Sequence, residues 1–205
     1  MKNYFLRIGF LVSVVSVALI GNAFAQTPGT STLKTEKRDR EAVARLKMAS
    51  LTAAERMAWR EIQERIDEMS NGEEAKDVPA SMHYMDADYK LHTLPEKDTP
   101  GGKLINLQQI AVYKKQNLAS LYSTSPETRT DIETLSMKGN LATIEVYQYY
   151  VRVIRGGDGS PHEARTSVRH RETWIYTDRG WLQKDVVELE RGPIYLDGEV
   201  YKPST

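Results

Sequence analysis

The sequence has no cysteine among its 205 residues. Disulfide bonds therefore cannot stabilise the fold, and stability must come from a packed apolar core, which a chain of this length can supply. The same absence excludes thiol catalysis, zinc sites with cysteine ligands and the acylated cysteine that anchors a lipoprotein.

Several other functional signatures are missing too. The 28 basic and 28 acidic residues balance, and no basic stripe indicates a nucleic-acid partner. Because no HExxH sequence, His/Asp cluster at metal spacing or Asp-rich calcium loop occurs, we expect neither a metal nor a cofactor. The glycine-rich segment Arg155–His162 connects two predicted strands instead of opening a helix, which argues against a phosphate cradle. The serine motif GxSxG is absent as well.

One long apolar run is present, at the N-terminus. Lys2 and Arg7 precede the uncharged segment Ile8–Ile20, and Ala23–Ala25 then supplies small residues at the positions that signal peptidase requires. The apolar run is shorter than the roughly 20 residues of a membrane span. We therefore predict a signal peptide over residues 1–25. The mature protein is expected to be exported, to the periplasm or the extracellular medium, with no stable membrane span.

Residues 26–37 are rich in Pro, Gly and Thr and predict a flexible linker. A single domain is predicted over residues 38–205. Its first clear helix begins with the capping box Thr52–Glu55, in which each side chain satisfies a free backbone N–H group. Asn71-Gly72 predicts the end of this helix. Between these limits, apolar side chains three and four residues apart predict one buried stripe, formed by Trp59, Ile62, Ile66 and Met69.

The rest of the chain changes from helical to strand periodicity. A short strand is predicted over Asp86–Thr93, and a second helix begins at Asn106, which forms another capping box with Gln109. From Thr128 onward the period is two, which predicts antiparallel strands. Helices followed by long antiparallel strands predict an α+β fold, with N-terminal helices packed on a strongly curved antiparallel sheet. The predicted strands are Thr128–Met137, Leu141–Ile154, Ala164–Thr177 and Trp181–Arg191, followed by a hairpin that turns at Asp197-Gly198.

The last long hairpin contains the sequence HRETWIYTDRGWLQKD, residues 170–185. Side chains alternate along a strand, so His170, Glu172, Trp174 and Tyr176 are predicted to share one face. This face combines apolar bulk with ionisable groups, whereas the opposite face begins with Arg169 and Arg171.

A two-residue turn at Arg179-Gly180 sets the predicted register of this hairpin. In that register Arg171 lies opposite Glu188 and Arg169 lies opposite Glu190. Such cross-strand ion pairs contribute about 0.2–1 kcal/mol each, enough to favour one register.

The segments VRHRETWIYTDRGW and DYKLHT, together with the long N-terminal helix, resemble the nuclear transport factor 2-like superfamily. More narrowly, they resemble its SnoaL-like branch of small exported proteins, over residues 50–191. The resemblance implies a cone-shaped α+β barrel with a pocket at its open end. Members include isomerases, cyclases, dehydratases and pocket or dimer proteins without catalysis. Gln183 departs from the pattern, because the family usually has an apolar residue there.

Within such a cone, the face of His170 and Glu172 becomes a candidate pocket wall. The two side chains are candidates for a catalytic acid–base pair. Equally, they are consistent with a self-satisfied contact that stabilises the sheet. The candidate ligand-binding residues are Tyr89, Tyr147 and Tyr149, which offer apolar rings with polar hydroxyls, together with Trp174 and Asp185, which the predicted register places side by side.

Three functions are consistent with these residues. The first is binding of a small, partly apolar molecule, amphipathic or ring-bearing, without catalysis. The second is a proton-transfer enzyme of the isomerase, dehydratase or cyclase type that uses His170 and Glu172. The third is a homodimeric interaction protein without a ligand, in which Arg169, Arg171 and Glu188 form the interface.

Overall fold

The structure is a computed structural model that describes residues 46–96, 99–121, 128–156 and 159–201. The predicted signal peptide at 1–25, the predicted linker at 26–37 and the first residues of the predicted domain lie outside these ranges. Within them, no helix combines the length and the apolar character that a membrane span requires.

Helix α1 (Ala53–Glu74) begins as the capping box predicts. The Thr52 side chain accepts a hydrogen bond from the Glu55 backbone N–H, and the Glu55 carboxylate accepts one from the Thr52 backbone N–H. The apolar stripe of α1 faces the sheet, where Trp59, Ile62 and Ile66 are buried. Helical periodicity therefore identified the buried face of α1 from the sequence.

The end of α1 differs from the prediction, because Asn71 and Gly72 lie inside the helix, which continues to Glu74. Gly72 is buried, and a Cβ atom at this position would lie 2.5 Å from the backbone nitrogen of Ser81. The glycine is therefore required because residues 80 and 81 pack closely against the helix at this position. It is not required for a reversal of the chain. The reversal occurs at Lys76, whose φ is 57°.

Helix α2 (Leu107–Ser120) also begins with its predicted capping box, formed by Asn106 and Gln109. Between α1 and the first strand, all residues are described, and the helical segment there is one 3₁₀ turn, Ala80–Met82. Residues 46–49 are helical as well, and all of these helical segments lie before the long hairpins in the chain, as predicted.

The strands form one sheet with the order β2-β1-β6-β5-β4-β3, and β7 and β8 are joined to it through β5. All neighbouring strands are antiparallel except β1 and β6, which are parallel. The strands are β1 (Met85–His92), β2 (Leu104–Asn106), β3 (Thr128–Lys138), β4 (Leu141–Arg155), β5 (Pro161–Thr177), β6 (Gly180–Arg191), β7 (Tyr195–Leu196) and β8 (Glu199–Val200).

β-Bulges bend this sheet around the helices. The pairing shifts by one residue at Glu133 in β3, and again at Lys184 and Leu189 in β6. Each bulge increases the local twist and bends its strand. The result is an α+β fold whose helices pack inside a strongly curved, unclosed sheet, as predicted.

The register of the β5–β6 hairpin is only partly as predicted. The turn is Asp178-Arg179, one position earlier than expected, so Arg171 lies opposite Val187 instead of Glu188. The two bulges in β6 then add one residue each, and Arg169 lies opposite Glu190 after all. Bulges have no strong sequence signal of their own, and the prediction of a regular ladder was therefore wrong in the middle of the hairpin.

The small terminal hairpin turns at Asp197-Gly198, as predicted, and a chain of polar contacts fixes it to β5. Asp197 Oδ2 lies 2.6 Å from His162 Nδ1, and His162 Nε2 lies 2.8 Å from Ser160 Oγ. The other oxygen of Asp197 accepts a hydrogen bond from the Glu163 backbone N–H at 2.8 Å. These contacts hold the terminal hairpin against the start of β5, at the end of that strand opposite the β5–β6 turn.

Candidate functional site

A pocket of about 90 Å³ lies between α1, α2 and the inner face of the sheet. Its apolar lining comes from both helices and from the strands β1 and β6, and consists of Ile66, Met69, Met85, Leu91, Ile110 and Val186. Polar side chains from β3, β4, β5 and β6 cover the opposite wall. The helices contribute polar lining residues too, namely Ser70, Glu73, Lys114 and Asn117, so apolar and hydrogen-bonding groups both face the pocket.

His170 and Glu172 lie together in the polar wall, as the alternation along β5 predicts. Their side chains are buried, with residue exposures of 5% and 2%. His170 Nδ1 lies 3.0 Å from Glu172 Oε1, and Glu172 Oε2 accepts a hydrogen bond from Trp174 Nε1 at 2.6 Å. The structure thus brings the two candidate acid–base residues into contact inside the pocket wall.

Two more polar side chains lie next to this pair. Gln148 Oε1 accepts a hydrogen bond from the Tyr150 hydroxyl and lies 3.3 Å from His170 Nε2. A proton on Nε2 makes the second contact a hydrogen bond as well. Nδ1 faces Glu172 Oε1 on the other side of the imidazole ring, outside hydrogen-bond alignment.

Tyr89 is the one predicted tyrosine that lines the pocket. Its ring is buried, and its hydroxyl makes no hydrogen bond with any residue that the structure describes. Burial, together with nearby carboxylates of which Glu172 contributes most, raises the pKa of Tyr89 far above its usual value. The hydroxyl therefore stays protonated and is available as a hydrogen-bond donor.

Two further polar atoms of the wall are buried without a hydrogen-bond partner among the described residues. They are Thr130 Oγ1 and His170 Nδ1, and both residues line the pocket. An unsatisfied buried polar group costs about 1–3 kcal/mol. A bound molecule that completes the hydrogen bonding is one explanation for such a group in a pocket wall.

The helix side of the pocket carries a buried charged cluster. Glu73, at the end of α1, contacts the Lys114 ammonium through Oε1 and the Arg152 guanidinium through Oε2, the latter at 2.9 Å. Burial raises the pKa of Glu73, but the charges and hydrogen bonds of Lys114 and Arg152 outweigh it, and the pKa is lower than usual. Glu73 is therefore ionised at neutral pH.

The structure moves four of the predicted ligand-binding residues away from the pocket. Tyr147 and Tyr149 point to the other face of β4, because Tyr150 and Gln148 occupy the inward positions. Trp174 is fully buried in the core behind Glu172, although its indole N–H orients that carboxylate.

Asp185 also lies outside the pocket lining. It pairs with His92 on the outer face, at 3.1 Å, and Thr173 lies opposite it in the ladder. The predicted neighbour, Trp174, lies opposite Gln183 instead. The bulge at Lys184 separates Trp174 and Asp185, and the predicted contact is wrong.

The predicted interface also included Glu188, but this residue is not on the outer face. It is buried, lies opposite His170, and accepts hydrogen bonds from Arg191 and from the Leu94 backbone N–H. Arg169 and Arg171 do lie on the outer face, where they pair with Glu133 at 2.9 Å and with Glu145 at 2.8 Å. The outer charges therefore form contacts within the sheet.

Sequence reasoning missed several polar residues of the pocket, although a signal was present. Glu73 follows Met69 by four residues and continues the apolar stripe of α1. Lys114 has the same relation to Ile110 in α2. Gln148 occupies an inward position of β4, between Val146 and Tyr150. A polar residue at a core-facing position needs a partner or a function, and this criterion finds all three.

Gln183, singled out as a departure from the family pattern, is a polar residue of the same kind. It is buried and lines the pocket from β6. Replacing the usual apolar residue with an amide makes this part of the wall capable of hydrogen bonding.

Comparison with solved structures agrees with the observed architecture. A conserved protein from Planctomyces limnophilus is 13% identical, with a TM-score of 0.54, and the match covers 71% of this chain and 99% of that chain. A nuclear transport factor 2-like superfamily protein from Salmonella enterica serovar Typhimurium is 18% identical, with a TM-score of 0.50, over 67% of this chain and 92% of that chain. No family model and no curated protein matches the sequence. The chain has the nuclear transport factor 2-like fold, and identities this low show the fold alone.

Proposed function

We propose that this chain is an exported protein of the SnoaL-like kind that binds one small, partly apolar molecule in its pocket. The observation that carries the proposal is the mixed lining. Apolar side chains from both helices and from β1 and β6 line the pocket, and Thr130 Oγ1 and the Tyr89 hydroxyl have no hydrogen-bond partner among the described residues. A ligand with an apolar body and a polar end matches such a lining.

The size of the pocket limits the ligand. An engineered apolar cavity of about 150 Å³ binds benzene, and this pocket, at about 90 Å³, is smaller. The molecule is therefore a short acid, alcohol or carbonyl compound, or the end of a larger molecule whose remainder extends through the opening.

The test is ligand binding in a variant that keeps the shape of the pocket. Tyr89→Phe removes only the hydroxyl that has no protein partner, so the fold should remain and binding of polar ligands should weaken about 5–10-fold, the value of one hydrogen bond. Binding is measured by ligand-observed NMR with a panel of short carboxylic acids, alcohols and ketones.

Tyr176→Phe is the matched control, because Tyr176 is 51% exposed and lies outside the pocket. It should bind the panel as the wild type does. If the wild type binds no compound of the panel, or if both variants bind equally well, the pocket is not the binding site.

A second candidate function is proton-transfer catalysis of the isomerase, dehydratase or cyclase type. The specific observation is the His170–Glu172 pair, whose imidazole nitrogen and carboxylate oxygen lie 3.0 Å apart in the pocket wall. A group that can release and recover a proton beside a bound carbonyl compound is what such a reaction requires.

A further inference from the structure

Gln183 carries a buried side-chain amide whose hydrogen-bonding atoms are not used by the described residues. The residue is 6% exposed and lines the pocket from β6. Its backbone N–H donates to the Tyr84 carbonyl at 2.7 Å, but its side chain makes no hydrogen bond with any residue that the structure describes. A primary amide has two N–H donors and a carbonyl acceptor, and leaving such groups buried without partners is unfavourable.

The β-bulge at Lys184 explains why this side chain points inward. Gln183 lies opposite Trp174 in the ladder, and Val186 lies opposite Glu172. Side chains of residues directly opposite each other in an antiparallel pair share one face of the sheet. Gln183 and Val186 therefore both lie on the inner face, although they are three residues apart instead of two.

The neighbours of Gln183 on the inner face do not satisfy its amide. The Trp174 indole N–H donates to Glu172 Oε2 at 2.6 Å, and the other oxygen of Glu172 lies 3.0 Å from His170 Nδ1. Met85, the partner of Gln183 in β1, is apolar, buried and part of the same pocket lining. The donor and acceptor groups of Gln183 are therefore available to a molecule in the pocket.

We infer that Gln183 selects a ligand with a carboxamide group, either a primary amide or a lactam. This inference rests on the proposed binding function and names the class of molecule. Both groups present an N–H donor and a carbonyl acceptor on the same side, so both can pair with the Gln183 amide at once. The apolar part of the ligand contacts Ile66, Leu91 and Ile110, which line the pocket.

Other small ligands use the Gln183 amide less completely. A ketone or an ionised carboxylate has acceptors only, which leaves the Gln183 carbonyl oxygen without a donor. In an alcohol, the donor and the acceptor are the same oxygen atom, which does not match the two separate atoms of the amide. The structure therefore favours the carboxamide over the other short polar compounds.

The experiment compares amides with ketones of the same shape on the purified wild-type protein. Butyramide and 2-pentanone form the open-chain pair, and 2-pyrrolidinone and cyclopentanone form the cyclic pair. Ligand-observed NMR titration measures the dissociation constants. We expect each amide to bind about 10-fold or more tightly than its ketone, because the amide makes one more hydrogen bond and leaves no acceptor of Gln183 unpaired.

Variants of Gln183 test whether this residue causes the preference. Gln183→Met keeps the length of the side chain without its amide, and the preference for amides should fall to about 2-fold or less. Gln183→Leu, a second apolar replacement, should have the same effect. Gln108→Met is the matched control and should keep the wild-type preference, because Gln108 is exposed on α2 and lies outside the pocket lining. Circular dichroism verifies that each variant is folded.

Two sets of results overturn the inference in distinguishable ways. If ketones bind the wild type as tightly as amides do, or if a folded Gln183→Met protein keeps the preference, only the carboxamide inference fails. If the wild type binds neither the amides nor any acid, alcohol or ketone, the proposed binding function fails with it. The wild-type comparison needs no variant, so the test stays intact even if neither variant of Gln183 folds.

Discussion

At the scale of single residues, burial separates two kinds of charged contact in this protein. Arg171 and Glu145 form an exposed pair on the outer face, and such pairs contribute about 0–1 kcal/mol. His170 and Glu172 are buried and in contact next to the pocket. Only the second pair has the surroundings in which a proton can be passed to a bound molecule without competition from bulk water.

The proton-transfer candidate predicts a change of rate in Glu172→Gln. Gln keeps an acceptor for the Trp174 indole N–H but cannot accept and release a proton. If the pocket catalyses proton transfer, the wild type accelerates exchange of the α-protons of cyclopentanone in D₂O. Glu172→Gln should then lose about 100-fold or more of that acceleration, the usual contribution of a general acid–base group. Proton NMR follows the exchange.

Glu145→Gln is the control for that measurement, since Glu145 contacts Arg171 on the outer face, and it should leave the rate unchanged. Exchange in the presence of the wild type at the buffer rate would exclude this catalysis for cyclopentanone. An unchanged rate in Glu172→Gln would remove Glu172 from the mechanism.

The predictability of the site differs from residue to residue. Alternation along one strand was sufficient to pair His170 with Glu172, because residues two apart share a face whatever the register. In β4, alternation did not show which face is inward. Tyr147 and Tyr149 were therefore chosen only because tyrosine combines an apolar ring with a polar hydroxyl.

At the scale of elements, capping boxes and apolar periodicity predicted both helix starts. Both signals are local, so nothing distant in the fold alters them. The pairing of β5 with β6 was harder to predict. The bulges at Lys184 and Leu189 are favoured by the curvature of the whole sheet, and a local pattern does not contain that curvature. The contact predicted between Trp174 and Asp185 was wrong for this reason.

The packing of α1 against the 3₁₀ turn predicts that Gly72→Ala destabilises the protein. Helix propensity alone would favour alanine by about 1 kcal/mol. However, the new Cβ would lie 2.5 Å from the Ser81 nitrogen and 2.8 Å from the Ala80 carbonyl carbon, both backbone atoms. We expect the free energy of unfolding to fall by about 1–3 kcal/mol, as for other overpacked sites. Urea unfolding measures this change.

Gly101→Ala provides the comparison, because no atom lies within 4 Å of a Cβ at Gly101. Its effect should stay within about 0.5 kcal/mol. A Gly72→Ala protein as stable as the wild type would show that α1 and the 3₁₀ turn are not in close contact.

At the scale of the whole molecule, the fold explains why the polar residues meet. Helix α1 contributes Glu73, α2 contributes Lys114, and β5 contributes His170 and Glu172, although these positions are far apart in sequence. The curved sheet surrounds the helices and brings all of these side chains to one pocket. The fold class followed from the order of helices and strands, but the combination of residues in the pocket depends on three-dimensional packing.

Export remains a prediction at this scale, because the N-terminal residues 1–45 lie outside the described structure. The signal-peptide interpretation predicts that the protein isolated from its own host begins at Gln26. Denaturing mass spectrometry measures this directly, and a mass that includes Met1 would contradict it.

The most direct test of the central claim, that the pocket holds one small molecule, is native mass spectrometry of the protein purified gently from its own host and compared with the denaturing run. We predict a native species heavier than the polypeptide by one small organic molecule, with the extra mass lost on denaturation. The account would be contradicted if the native mass equalled that of the polypeptide, both as isolated and after incubation with an excess of the short acids, alcohols and ketones of the binding panel.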